Sequence, residues 1–322
     1  MQIYCYFYWF ENLPAQMISV LIPVYNQKVV SLVTSLRKQA GNLRVDYEIV
    51  VLDDGSSGSF RKENAVIKEM DHVRYLEQPE NTGRAAARNR LADEALHACL
   101  LFIDGDVVIA GESFLEDYLR YYDEQTVVCG GLAYYPEPPE DPAERLRFRA
   151  GVSRECLPPS VRRTHPYRSF MSSSFMIPAG LFHRIRFDER MKGYGHEDTL
   201  FGFRLKQEHI RIRHIDNPVI HGKTETGRKY LHKALEAAEN LVKAWELTGY
   251  DPAFVPEVKL LRRAVRLRRL GLSFPVRKMV SLLREPAMRN LTGLHPRLFL
   301  LDLLKLDACL GALAVATRKT AC

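Results

Sequence analysis

From Met17 onward, short runs rich in β-branched residues alternate with stretches of helical periodicity, and no other feature narrows the fold so far. That alternation is the pattern of βαβ units closing into a largely parallel, buried sheet, an α/β fold class. Residues 18–24, 48–52, 73–76 and 99–103 are the expected strands. Three of them are apolar on both faces, as strands covered by helices on both sides should be. Val29, Val30, Leu32, Val33 and Leu36 recur at helical spacing, and the Ala-rich run 84–98 predicts a second helix. Past Val108 the pattern predicts a helix near 112–122 and a strand at 127–132. The segment YYPEPPEDP follows, whose four prolines bar a regular element. Further short strands between 170 and 220 and a helix near 198–207 complete a domain expected to span 17–235. Residues 1–16 read as an N-terminal extension with Met17 as the expected start, because MQIYCYFYWF has none of the parts of a secretory signal.

In an open parallel sheet, ligands bind beyond the carboxyl ends of the strands. Three strand ends deliver polar residues there: Pro23, Tyr25 and Asn26; Asp53, Asp54 and Gly55; Asp104, Gly105 and Asp106. Any one alone reads as a turn; together they point to a site. In Asp104-Gly105-Asp106 the two carboxylates, two residues apart, share one side of an extended chain, and hard oxygens of that kind suit Mg²⁺ or Mn²⁺. Neither GxxxxGK[ST] nor GxGxxG follows a strand, which excludes the usual phosphate loops of nucleotide hydrolases and dinucleotide enzymes. Arg84 and Arg88, one helical turn apart after Asn81-Thr82-Gly83, are phosphate candidates, or else surface arginines paired with Asp93 and Glu94. Glu197 and Asp198, after two glycines, either complement a helix N-terminus or supply a general base. His221 ends a strand and is either structural or a further ligand of a metal at the aspartates.

Taken in order, IPVYN, LDDGS, NTGRAAARN, FIDGD and GYGHED resemble the successive motifs of family 2 glycosyltransferases, over about residues 18–223. The resemblance implies the GT-A fold, a Rossmann-like, mostly parallel sheet with flanking helices. It implies nucleoside contact for Pro23, Tyr25, Asp53 and Asp54, and diphosphate contact for Arg84 or Arg88. It also implies a metal at Asp106, aided by Asp104 and completed by His221. Glu197 would orient sugar hydroxyls and Asp198 would be the base. The segment FMSSSF places Ser173 and Ser174 at the sugar pocket. With Gly195 and His196 of GYGHED, it is similar to the acceptor-side half of galactosyl- and N-acetylgalactosaminyltransferases. The expected activity is an inverting, metal-dependent transfer of a hexose or hexosamine from a UDP-sugar to a hydroxyl of a glycan or lipid-linked oligosaccharide. The alternative is a non-catalytic protein that binds sugar nucleotides or polyanions. The signature and long apolar spans of processive synthases are missing, which argues against a polymerase that secretes its own product.

Charge sets the last third apart. The chain of 322 residues carries a net +7, and between Lys259 and Arg297 there are eleven basic residues against one acid, Glu285. Leu260, Ala264, Leu267, Gly271 and Phe274 fall on one helical stripe, so residues 236–322 read as a basic amphipathic helical region. It is expected either to dock on an anionic membrane or to cap the catalytic domain. Three charges within 298–317 argue for a buried or interfacial helix rather than a spanning one. Basic residues without interleaved aromatics and without a reader motif argue against nucleic acid as partner. Six cysteines without a CxxC pair indicate neither a disulfide framework nor structural zinc. The expected location is the cytoplasm, peripheral to the membrane's cytoplasmic face.

Overall fold

The structure, a computed structural model, describes residues 17–43, 45–222 and 225–320. The extension expected over 1–16 lies outside the described residues. Strands β1 (Ile18–Val24), β2 (Tyr47–Asp53), β3 (Val73–Glu77) and β4 (Cys99–Ile103) alternate with helices α1 (Val30–Asn42), α2 (Gly58–Asn64) and α3 (Arg84–Glu94). The four strands are parallel, in the order β3-β2-β1-β4. Burial runs almost without a break along β1, β2 and β4, whose apolar residues meet helices on both faces, while the edge strand β3 is half-buried. The chain steps outward from β1 to β3 and then returns to the far side of β1 for β4. Strand order therefore reverses between β1 and β4, the position at which open α/β sheets bind their ligands, beyond the carboxyl ends of the strands.

The sheet continues through β8 (Ser174–Pro178), antiparallel to β4, and β6 (Thr126–Cys129) to β9 (Arg211–His214). A second sheet has the order β5-β10-β7, from β5 (Val107–Val108), β7 (Leu132–Ala133) and β10 (Val219–His221). The strand expected over 127–132 is thus divided between two sheets. Gly131, at φ +100°, turns the chain, and a side chain at Gly130 would run into the Asn217 carbonyl and the Tyr118 hydroxyl. Helix α3 stops at Glu94, short of the expected 98. Glu48 takes the Leu96 N–H at 2.6 Å, Ser19 takes that of His97 at 3.1 Å, and Arg74 donates to the Glu94 carbonyl at 2.7 Å.

Helices α4 (Phe114–Arg120), α5 (Arg145–Arg154), α6 (Pro159–Arg162), α7 (Ala179–Ile185) and α8 (Glu197–Gln207) complete the α/β part. Four helices follow: α9 (Gly227–Leu247), which runs through position 235, α10 (Lys259–Arg269), α11 (Ser273–Leu291) and α12 (Leu298–Thr320). Leu301, Leu304, Cys309, Leu310 and Leu313 of α12 are buried against the other three. Among the described residues no helix is long and apolar enough to cross a membrane.

Phe175, fully buried on β8, stacks on Phe102 of β4 at 4.8 Å and meets Phe170 and Phe201 edge-on or tilted. It fixes the antiparallel half of the sheet to the parallel half. Phe175→Ala should lower unfolding free energy by about 3–5 kcal/mol, read as a shifted urea midpoint.

Candidate functional site

The carboxyl ends of β1 and β4 are brought together by small-residue contact and held by charge. Gly105 lies where a side chain would come 3.1 Å from the Pro23 carbonyl, so the end of β4 rests directly on the end of β1. Pro23 is half-buried and Tyr25 is exposed beside it. Antiparallel pairing of β10 with β5 sets His221 opposite Val107, and the Gly222 N–H donates to the Asp106 carbonyl at 3.0 Å. A histidine 115 positions away is thereby seated next to the DGD turn, where its ring stacks on Tyr134 at 5.3 Å.

The two arginines of α3 join that turn to GYGHED. Arg88 is 1% exposed; its guanidinium donates to the Asp104 carboxylate at 2.6 Å and lies 3.9 Å from Glu197. Arg84, half-exposed, lies 3.6 Å from Glu197, and its cation sits over the Tyr194 ring at 5.0 Å. Burial works against the charge on Arg84, but Glu197, Tyr194, Asp104 and Asp106 outweigh it and hold its pKa above the ordinary value. Neither arginine pairs with Asp93 or Glu94. Arg186 takes Asp93 at 2.7 Å, and Glu94 goes to Arg74 and Arg90. The Arg88 Nε and Nη1 and the Ser173 Oγ are buried without a hydrogen-bond partner, and the Ser173 carbonyl accepts from the Asp104 N–H at 3.0 Å. Unpartnered donors of this kind, gathered beside a carboxylate, mark a place built for something further to bind.

At the start of α8, Glu197 is buried and Asp198 partly so. Burial, reinforced by the like charge of Glu197, pushes the Asp198 carboxyl up to about 7, and one of its oxygens accepts from the Thr199 N–H at 2.7 Å. His196 takes a left-handed backbone at φ 70°; burial, followed by the cation of Lys305, brings it down to about 3, so it is neutral in use. A carboxyl near neutrality in a cleft is the setting in which a general base works.

Three placements depart from expectation. Asp54 does not face the crevice with free oxygens. It accepts from Gln78, from the Thr82 N–H and hydroxyl, and from the Gly83 N–H, all within 3.0 Å, so it anchors the loop ahead of α3. Asp53 is fully covered, held by the Ser56 N–H at 2.8 Å, the Tyr75 hydroxyl at 3.1 Å and Arg61 at 3.4 Å. Ser174 turns into the core, 2.5 Å from the Tyr118 hydroxyl, and leaves Ser173 to border the site.

Sequence reasoning missed the groups that hold GYGHED. The Tyr194 N–H donates to Glu236 of α9 at 2.9 Å, and the Asn240 amide donates to the Lys192 and Tyr194 carbonyls at 3.0 Å. A side chain on Gly195, at φ 90°, would stop 2.7 Å from the Ala237 Cβ. Nothing local in 236–240 signals this, because the contacts close over more than forty residues.

Among the described residues no three His, Cys, Asp or Glu side chains converge into a metal cage. Asp104 and Asp106 instead fit the other way hard divalent ions are held, by one or two carboxylates completed by substrate phosphates. Arg88→Met would leave Asp104 and Glu197 without their buried partner. It should cost about 3 kcal/mol, read in denaturant unfolding at neutral pH.

A model of the family described as Glycosyl transferase family 2 matches residues 19–237. Validoxylamine A glucosyltransferase of Streptomyces hygroscopicus subsp. jinggangensis is 29% identical over 217 residues, covering 59% of this chain and 51% of that protein. The chain spans about half the length of this relative. Among solved structures, the mannosyltransferase of Pyrobaculum calidifontis in complex with GDP-Man and Mn²⁺ superposes with a TM-score of 0.54 at 14% identity, covering 96% of this chain and 92% of that one. Glucosyl-3-phosphoglycerate synthase of Mycobacterium tuberculosis, with Mg²⁺ and uridine diphosphate, gives 0.50 at 16% identity, covering 71% and 79%. These two likenesses show the fold.

Proposed function

The chain belongs to glycosyl transferase family 2, and on that premise we propose that it is an inverting, metal-assisted transferase. It would move a hexose or hexosamine from a UDP-sugar to a hydroxyl of a glycan or lipid-linked acceptor. One observation carries the reading: the buried Arg88 touches both Asp104 of FIDGD and Glu197 of GYGHED, so a nucleotide diphosphate at the first would bring its sugar to the second. The nucleoside diphosphate and divalent ions named for the structural neighbours are in keeping with it.

Asp198 takes the proton of the acceptor hydroxyl as its oxygen attacks the anomeric carbon. The bond from that carbon to the phosphate oxygen breaks with inversion, and the electron pair leaves with the diphosphate. Glu197, fixed by Arg84 and Arg88, receives sugar hydroxyls, and the exposed Arg84 guanidinium meets the departing charge. A divalent ion held by Asp104 and Asp106, with His221 alongside, would neutralise the leaving diphosphate. Tyr25 and Pro23 form the open wall on the nucleoside side.

Release of UDP, followed across UDP-sugars with Mn²⁺ or Mg²⁺, tests this. Asp198→Asn should cut turnover by roughly 10²–10⁴-fold and leave UDP affinity unchanged; undiminished turnover removes Asp198 from the mechanism. In the unaltered protein, activity should rise with pH through about 7 as Asp198 ionises. Stability should move oppositely. The folded pKa lies above the unfolded one, so this group's contribution is complete at low pH and is lost as pH climbs through about 7. Asp198→Asn removes that loss and should make the protein relatively more stable at pH 8.

A further inference from the structure

The basic region resolves into two kinds of surface. Helix α10 turns Leu261, Ala264 and Val265 inward, with Leu260 and Leu267 half-buried, and so caps the neighbouring helices. The stripe expected to continue through Gly271 to Phe274 does not. The chain turns at Leu270–Leu272, and α11 packs through Val280, Ala287 and Leu291, leaving its opposite face open. On that face Phe274 and Leu282 are each 76% exposed, eight residues apart and therefore on one side of the helix, with Lys278 midway between them. Met279 and Leu283 flank them, and Leu270 and Leu272 extend the apolar strip over the turn.

Much of the positive charge that α10 and α11 carry is unspent. Arg277 and Arg284 pair with Asp307, but Arg262, Arg263, Arg266, Arg269, Lys278 and Arg289 are exposed without an ion-pair partner among the described residues. Apolar side chains set among free cations match the interfacial zone of an anionic bilayer, where acyl chains take the first and headgroups the second. A second copy of the chain is a poor occupant, because the exposed cations of α10 and α11 that have no ion-pair partner among the described residues would face their own kind. Nucleic acid is a poor occupant too, since Phe274 is the only Phe, Tyr or Trp between Lys259 and Arg297 and offers no stacking series.

We propose that the outer face of α11, with the α10–α11 turn, is a docking surface for an anionic lipid membrane. The proposal does not depend on the catalytic reading, and its test needs no turnover. The full chain is sedimented with phosphatidylcholine vesicles, and with vesicles in which about a quarter of the lipid is phosphatidylglycerol. Binding is expected only to the second, weakening as salt rises. The double variant Phe274→Ser, Leu282→Ser, at exposed positions that leave the thermal unfolding unchanged, should lose about tenfold or more in vesicle affinity. UDP binding by that variant should be unaffected.

Absence of sedimentation with anionic vesicles at low salt overturns the proposal. So does equal binding by the double variant, which would reduce the effect to diffuse charge. A lipid-free dimer that the same two substitutions dissociate would assign the face to a second copy, and tighter salt-dependent binding of duplex DNA than of vesicles would assign it to nucleic acid. Either result also overturns it.

Discussion

One buried guanidinium holds the site together. A charge removed from water is tolerated only where opposite charge and hydrogen bonds replace its hydration. Arg88, on the inner face of α3, finds part of that replacement in Asp104 at 2.6 Å and Glu197 at 3.9 Å, with the Phe187 ring beneath it at 5.2 Å, while its Nε and Nη1 have no hydrogen-bond partner. The two acids belong to different parts of the fold, one at the carboxyl end of β4 and the other at the start of α8. Satisfying Arg88 therefore brings the DGD turn and the GYGHED loop to one place. Arg84, a turn earlier and nearer water, repeats the contact to Glu197 at 3.6 Å. The arrangement also sets the state of Asp198. Burial, reinforced by the like charge of Glu197, pushes the adjacent Asp198 carboxyl up to about 7.

A second constraint comes from the far end of the chain. The GYGHED loop has left-handed or glycine conformations at Gly193, Gly195 and His196, which no regular hydrogen-bond ladder would hold. Glu236 and Asn240 supply the missing partners from α9, and Ala237 leaves room only for a residue without a side chain at Gly195. Helix α9 in turn packs on α12 through Ala238, Leu241 and Ala244. The C-terminal helices are thus part of the scaffold that positions the acidic pair, whatever surface they show to their surroundings. On the opposite side Lys192 donates to the Thr82 carbonyl at 3.1 Å, which ties the loop to the segment that Asp54 anchors.

Where interactions were local, the sequence was readable. β1 and β4 end where their apolar runs end, and α8 begins one residue before the expected position because Glu197 already lies in its first turn. The reversal of strand order followed from the parallel topology, and Asp104 of FIDGD and Glu197 of GYGHED share one partner, Arg88. Long-range partners were not readable. Nothing in the Ala-rich run reveals that side chains of Glu48 and Ser19, from other strands, will end the helix early. Asp54 and Ser174 have the right chemistry for ligand contact, but the interior claims them through Thr82, Gly83 and Tyr118. Spacing identifies a residue type at a strand end; only the fold decides which way its oxygens turn.

The charge balance of the crevice has a consequence for how ligands enter it. Asp104, Asp106, Glu197 and Asp198 face two guanidinium groups, those of Arg84 and Arg88, so the site is acidic even with Asp198 protonated. A diphosphate brings further negative charge, and one nitrogen of Arg88 is already bonded to the Asp104 carboxylate. Arg84 alone is a small offset at half-exposure, where water screens it. On the proposed function, a dianionic nucleotide and a hard divalent cation would be thermodynamically coupled here: each would lower the electrostatic cost of the other, and affinity for either should be weak alone.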